Sequence, residues 1–175
     1  MMSIQFSVLI MVQPIFDVTF DRADSFPIWF GAIAVASGIS SLLNAAIVGR
    51  FGMRRLVTWA LGVQVAISSL FVLFLVAELP GVFVVYLVWQ WGVMFQAGLT
   101  VANLNAIAME PMGHIAGRAA AVIGALATVG GALIASPVGL LFDGTPLPLA
   151  VLILTFCVTA FVLMQMMRRA EAALA

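Results

Sequence analysis

The chain has 175 residues, of which 65% are hydrophobic and only 8% charged, with a mean hydropathy of +1.23 and a formal net charge of zero. Too little polar surface is available to clothe a water-facing exterior, which excludes a soluble globular domain and identifies an integral membrane protein. Lysine is absent, and the single cysteine, Cys157, excludes an internal disulfide and reads as an inert buried thiol within an apolar run.

Met1 to Phe16 has no basic n-region and no small-residue cleavage site before Asp17, so it reads as part of a membrane helix and not as a secretory signal. A hydrocarbon core roughly 30 Å thick takes about 20 helical residues to cross. This first span, 1–16, is therefore expected to be truncated. It carries Gln5 and Gln13, followed by Pro14, which removes a backbone donor. Two readings follow: a bent helix facing a cavity, or a helix ending close to its outer loop.

Five further apolar runs follow, at 26–48, 56–77, 81–107, 115–142 and 147–167, giving six spans in a single transmembrane domain over 1–175. The breaks between them are short and rich in turn residues, such as Glu78-Leu79-Pro80-Gly81 and Asp143-Gly144-Thr145-Pro146. The second span is rich in small residues, among them Ala32, Ala34, Ala36, Ser37, Gly38, Ser40 and Ser41. The fifth carries Ala116, Ala120 and Gly124, then Ala127, Gly131 and Ala135, each set spaced by four. That spacing predicts close approach of helix backbones, and Gly130, Gly131 and Pro137 also allow the fifth helix to bend. The third and sixth spans, rich in Leu, Val and Phe, read as lipid-facing.

Polar side chains concentrate in the fourth span: Tyr86, Trp89, Gln90, Gln96, Thr100, Asn103 and Asn105. At 100° per residue, Trp89, Gln96, Thr100 and Asn103 share one stripe while Asn105 points elsewhere. The stripe suits either the wall of a central cavity or hydrogen bonding to a neighbouring helix.

Six alternating crossings place Arg50, Arg54, Arg55, Arg118, Arg168 and Arg169 on one side and leave Arg22 alone on the other. The positive-inside rule makes the arginine-rich side cytoplasmic, with both termini there. The acids sort independently: Asp17, Asp21, Asp24, Glu78 and Asp143 fall outside, and Glu110 and Glu171 inside.

Two segments carry a family resemblance. Asn44 to Arg55, ending Gly49-Arg50-Phe51-Gly52-Met53-Arg54-Arg55, is similar to the loop motif G-x-x-x-D-R-x-G-R-R that follows the second and eighth helices of major facilitator superfamily transporters. Asn103 to Gly117, containing Glu110-Pro111-Met112-Gly113-His114, resembles the junction of the tenth and eleventh helices in the bicyclomycin-resistance branch of the drug/proton antiporters. The resemblance covers essentially the whole chain and implies the C-terminal six-helix half, an all-α half-bundle of two three-helix inverted repeats. It further implies first and fourth helices around a cavity, second and fifth between the halves, and third and sixth toward lipid. The polarity of the spans leads to the same sorting.

The resemblance implies a substrate cavity, for which Gln5, Gln13, Trp89, Gln96, Thr100 and Asn103 are the candidates. It also implies a cytoplasmic gate or anchor, with Arg50, Gly52, Arg54, Arg55, Glu110, His114 and Arg118 as candidates. The chain departs from the motif in two places: Gly49 stands at the acidic position and Ala45 at the leading glycine. Arg50 then has no local carboxylate, so Arg50 or Arg118 is expected to pair with Glu110 when the cytoplasmic side closes, the alternative being that these arginines only anchor to anionic headgroups. His114, the sole histidine, lies in a loop, where gating or loop structure fits it better than a proton relay.

The expected function is that of the C-terminal half of a proton-coupled multidrug efflux transporter of the bacterial inner membrane, working by alternating access and inactive without an N-terminal half. Its expected partners are membrane lipid, that other half, a small-molecule substrate and protons. No Asp, Glu, Lys or Arg lies near the middle of a span, so any coupling acid must come from the other half. The alternative is a truncated remnant or an assembly subunit of a split transporter. An intramembrane serine protease is disfavoured because His114 is in a loop and no serine has a nucleophile motif. No cofactor, metal or nucleic-acid signature is present.

Overall fold

The structure, a computed structural model, describes residues 1–174, and for His114, Ala172 and Leu174 the backbone alone. Helix α1 (Met2–Pro14) passes directly into a π-helical turn, Ile15–Thr19, so that the first crossing runs over Met2–Thr19. Pro14 offers no N–H to the preceding turn, and the turn that follows it is widened, with Phe20 N–H donating to the Ile15 carbonyl. The helix therefore continues through Pro14 for one turn before stopping, which is longer than the span of 1–16 expected from the apolar run.

Helix α2 (Phe26–Phe51) stops at Gly52, whose φ of +79° is readily adopted only without a Cβ. Helix α3 (Met53–Val76) begins at the next residue. Helix α4 (Val82–Met109) ends in a 3₁₀ stretch, Glu110–Ile115, where Pro111 cannot extend the α-helical ladder. Helix α5 (Ala116–Ala135) tightens to 3₁₀ over Ser136–Leu141, a stretch containing Pro137, and α6 covers Leu147–Leu174. All six are long and apolar enough to cross a membrane. Helices α2 and α6 outrun their apolar stretches because the arginines at their ends remain good helix formers, and α4 runs on through Ala108 and Met109.

Helix α4 lies between α2 and α3, α3 packs along α6, and α1 packs on α5 and more lightly on α6. The main core sits among α1, α3, α4 and α6, where Val8, Met11, Phe16, Val93, Ile153 and Cys157 are fully buried. Aromatic rings close its end near the α1–α2 loop. Phe16 meets Phe26, Phe83 and Tyr86 edge to face, and Phe71 stacks on Trp89 at 4.7 Å.

Two backbone contacts set how closely the bundle closes. Gly98 of α4 lies against Ser40 of α2, and Gly131 of α5 lies against the backbone and Cβ of Met2. Of the small residues in the sequence pattern, Gly131 and Ala135 are buried by this packing, whereas Ala116, Ala120 and Gly124 are exposed. Helices α3 and α6 each bury one face and expose the other, so their lipid-facing character belongs to the outer face only, with Val63, Leu70, Val162 and Leu163 exposed.

Contacts between loops divide the helix ends into two groups. At one end the start of α3 meets the ends of α4 and α6 through Arg54, Glu110 and Glu171. At the other, Thr19 donates to the Gly144 carbonyl at 2.8 Å and the Arg22 guanidinium lies 4.6 Å from the centre of the Phe83 ring. The carboxylate of Asp143, also in this second group, accepts from the Thr145 hydroxyl and N–H, which hold its pKa below the usual range.

Candidate functional site

The polar stripe of α4 is buried inside the bundle. Trp89 Nε1 donates to Ser68 Oγ of α3 at 3.0 Å, and Asn103 Nδ2 donates to Asn44 Oδ1 of α2 at 2.6 Å and to the Leu99 carbonyl. Gln96 Nε2 donates to Thr100 Oγ1 and approaches the sulfur of Met1, while the Thr100 hydroxyl bonds back to the Gln96 carbonyl. Trp89 and Asn103 thus tie α4 to both neighbours, and Gln96 and Thr100 pair along their own helix. The stripe's own neighbours, Ser68 and Asn44, lie in spans that read as merely apolar or small.

Not every polar group on α4 is matched. The Tyr86 hydroxyl, both amide atoms of Gln90 and Oε1 of Gln96 are buried without a hydrogen-bond partner in the structure. At membrane depth such groups are costly, so a helix carrying several of them gives up stability.

The open face of α1 carries Gln13, exposed, and Gln5, half-buried, beside the exposed Leu9 and Ile10. Near the start of α1 a groove of about 440 Å³ runs against α4 and α5, with Ser3 and Asn105 among its lining residues. Asn105, set aside by its angle from the stripe, is therefore the α4 amide that faces open space, while Asn103, two residues away, faces α2. The structure does not bring Gln5 or Gln13 together with the buried α4 stripe through any side-chain hydrogen bond.

At the arginine-rich end the structure gives Glu110 a different partner from the expected one. Glu110 pairs with Arg54, not with Arg50 or Arg118: Arg54 Nη2 lies 2.7 Å from Glu110 Oε2, and Nε lies 2.9 Å from Glu171 Oε1. Arg54 occupies the first turn of α3, which packs against both α4 and α6, and Gly52 turns the chain so that this first turn reaches both carboxylates. Arg50, Arg55 and Arg118 are exposed on the helices and turn around it. His114 lies in the 3₁₀ stretch, and its side chain falls outside the described residues. The part played by Glu171 had no signal in the motif, because its approach depends on the length of α6.

Arg54 and Glu110 are about a third and a half exposed, so each bond is expected to contribute about 0.2–1 kcal/mol. Arg54→Leu should lower the melting temperature modestly, and raising the salt concentration should shrink the gap to the unmodified chain. A salt-independent loss would show that the side chain acts through its apolar stem instead.

Helices α2 and α5 are the least covered of the six. Ile33 and Ser40 are the buried residues of α2, and Ala119, Gly131 and Ala135 those of α5. Gly31, Ala34, Gly38, Ser41, Ala45 and Gly49 are all exposed and recur every three or four residues, so they form one small-residue stripe along α2. Nothing lies within 4 Å of a Cβ placed on Gly31, Gly38 or Gly49. Among the described residues no group of His, Cys, Asp or Glu could hold a metal ion. Comparison with protein-family models, curated proteins and solved structures finds no match.

Proposed function

We propose that this chain is the C-terminal half of a proton-coupled efflux transporter of the major facilitator type, exporting small apolar or amphipathic molecules by alternating access with an N-terminal half. The observation that carries the reading is the pattern of helix packing. Exchanging α1 with α4, α2 with α5 and α3 with α6 maps the contact of α4 with α2 onto that of α1 with α5. It also maps the contact of α3 with α4 onto the much lighter one of α6 with α1. Because α1 and α4 run in opposite directions, that exchange is the relation expected of two inverted three-helix repeats.

Three further features support it. The stripe of small residues on α2 leaves room for another helix to approach closely. The unmatched polar groups of α4 suit a helix that changes its neighbours during a transport cycle. The arginine-rich end, read as cytoplasmic, carries the Arg54 cluster joining three helices, which suits a contact made in one state and broken in the other.

Coexpression with a matching N-terminal half should yield drug efflux that a proton uncoupler abolishes, and the chain alone should yield none. Gly38→Leu should leave the isolated chain within about 0.5 kcal/mol of its original stability yet prevent copurification with that half. Export that persists under the uncoupler would defeat the antiport mechanism, and assembly unaffected by Gly38→Leu would remove α2 from the interface.

A further inference from the structure

A slot of about 340 Å³ opens on the outer side of the bundle between α3 and α4. Its volume lies within the roughly 300–1,000 Å³ of small-molecule sites. Trp59, Val63 and Trp91 are exposed around it, Phe95 contributes a further wall, and Gly92 leaves space at its floor. No charged side chain lines it, so a charged ligand would lose its hydration without compensation.

Two amide side chains line this apolar slot, Gln64 and Gln96, and the one that lies against Gly92 is Gln64. Gln64 is 1% exposed, and its Nε2 donates to Ser68 Oγ at 3.1 Å, the same oxygen that accepts from Trp89 Nε1. That bond turns the other amide atom toward Gly92: Oε1 lies 3.4 Å from where a Cβ on Gly92 would stand. Among the described residues this oxygen accepts no hydrogen bond. A bare acceptor facing hydrocarbon is unfavourable, and a hydroxyl arriving from the membrane relieves it by donating to it.

We propose that the slot binds a small uncharged molecule, apolar apart from one hydroxyl group, which enters from the lipid and donates that hydroxyl to Gln64 Oε1. Apolar walls supply the affinity, and the Gln64 acceptor separates alcohols from alkanes of equal size. The site lies apart from the α1–α4–α5 groove and does not depend on the transport reading.

Trp59 and Trp91 provide the signal for a test. The chain carrying Trp29→Phe, in lipid nanodiscs, is titrated with 11-bromoundecan-1-ol and separately with 1-bromoundecane, each counted as mole fraction in the lipid. The alcohol should quench tryptophan emission saturably, at about a tenfold lower mole fraction than the alkane. Gln64→Leu should bring the two compounds to the same half-quenching point. Val63→Phe, a change on the exposed wall that leaves the core untouched, should remove the saturable component for both. Quenching that rises linearly and equally for both compounds means partition into bulk lipid and overturns the proposal. So does an alcohol preference that survives in Gln64→Leu, or, should that variant not fold, saturable quenching that survives in Val63→Phe.

Discussion

Gly98→Ala is expected to destabilise the bundle by about 1–3 kcal/mol, as overpacking at a tight contact does. The added Cβ would overlap Ser40 Oγ and stand 3.0 Å from Ser40 Cβ. Rotating the serine hydroxyl offers limited relief, since it already donates to the Ser37 carbonyl at 2.6 Å and the Cβ contact would remain. The two helices must then separate, which also loosens the hydrogen bond from Asn103 to Asn44 one turn further along. Adding Ser40→Gly removes both clashing atoms and should restore most of the loss. Denaturant titration of the two single variants and the pair in detergent micelles measures the coupling directly. A pair no more stable than Gly98→Ala alone would mean that α2 and α4 do not cross at this point.

Ser68→Ala is expected to cost about 2 kcal/mol, because one oxygen serves two buried donors. Trp89 Nε1 and Gln64 Nε2 both end on Ser68 Oγ, and all three residues are essentially inaccessible. Removing the hydroxyl strands two N–H donors where water does not reach, while Phe71 still holds the indole by stacking. The discriminating comparison uses Trp89→Phe, which keeps the ring and deletes its donor. On that background Ser68→Ala should cost clearly less, and Ser68→Thr should retain part of the stability of the unmodified chain. Equal costs on both backgrounds would show that Ser68 contributes by packing and not as an acceptor. The same substitution frees the Gln64 amide, so it should also weaken the alcohol preference of the α3–α4 slot.

These two sites show where sequence reading stops. Gly98 lies in a span that is notable for its polar residues, and nothing in its local sequence distinguishes it from Gly92, six residues earlier. One glycine meets Ser40 of α2 and the other leaves open the floor of a slot against α3. Which neighbour a helix face meets is decided by residues distant in the chain. Trp89 and Asn103 illustrate the same point. Their common face follows from the helical period, yet the same stripe fits a cavity wall or a helix contact until Ser68 and Asn44 are placed opposite.

The arginine loop divides in the same way. Its charge marks a helix end, because a guanidinium cannot remain in hydrocarbon without a partner, and Gly52 marks the turn because its backbone angle excludes a side chain. The loop motif directs attention to Arg50, whereas the ion pairs belong to Arg54. The two stand four positions apart on either side of the Gly52 turn, one at the end of α2 and the other at the start of α3, so they face different neighbours.

By itself the sequence determined the membrane class, six helices long and apolar enough to cross, the two groups of helix ends and the polar stripe of α4, since the energetics of burying backbone and charge in lipid operate on local composition. The tertiary structure alone decided which polar groups are satisfied, which glycines are crossings, that Glu110 and Glu171 share Arg54, and that Gln64 faces a slot. Those outcomes depend on distances of a few ångströms between segments far apart in sequence, where close packing and hydrogen bonding are selective and hydropathy is not.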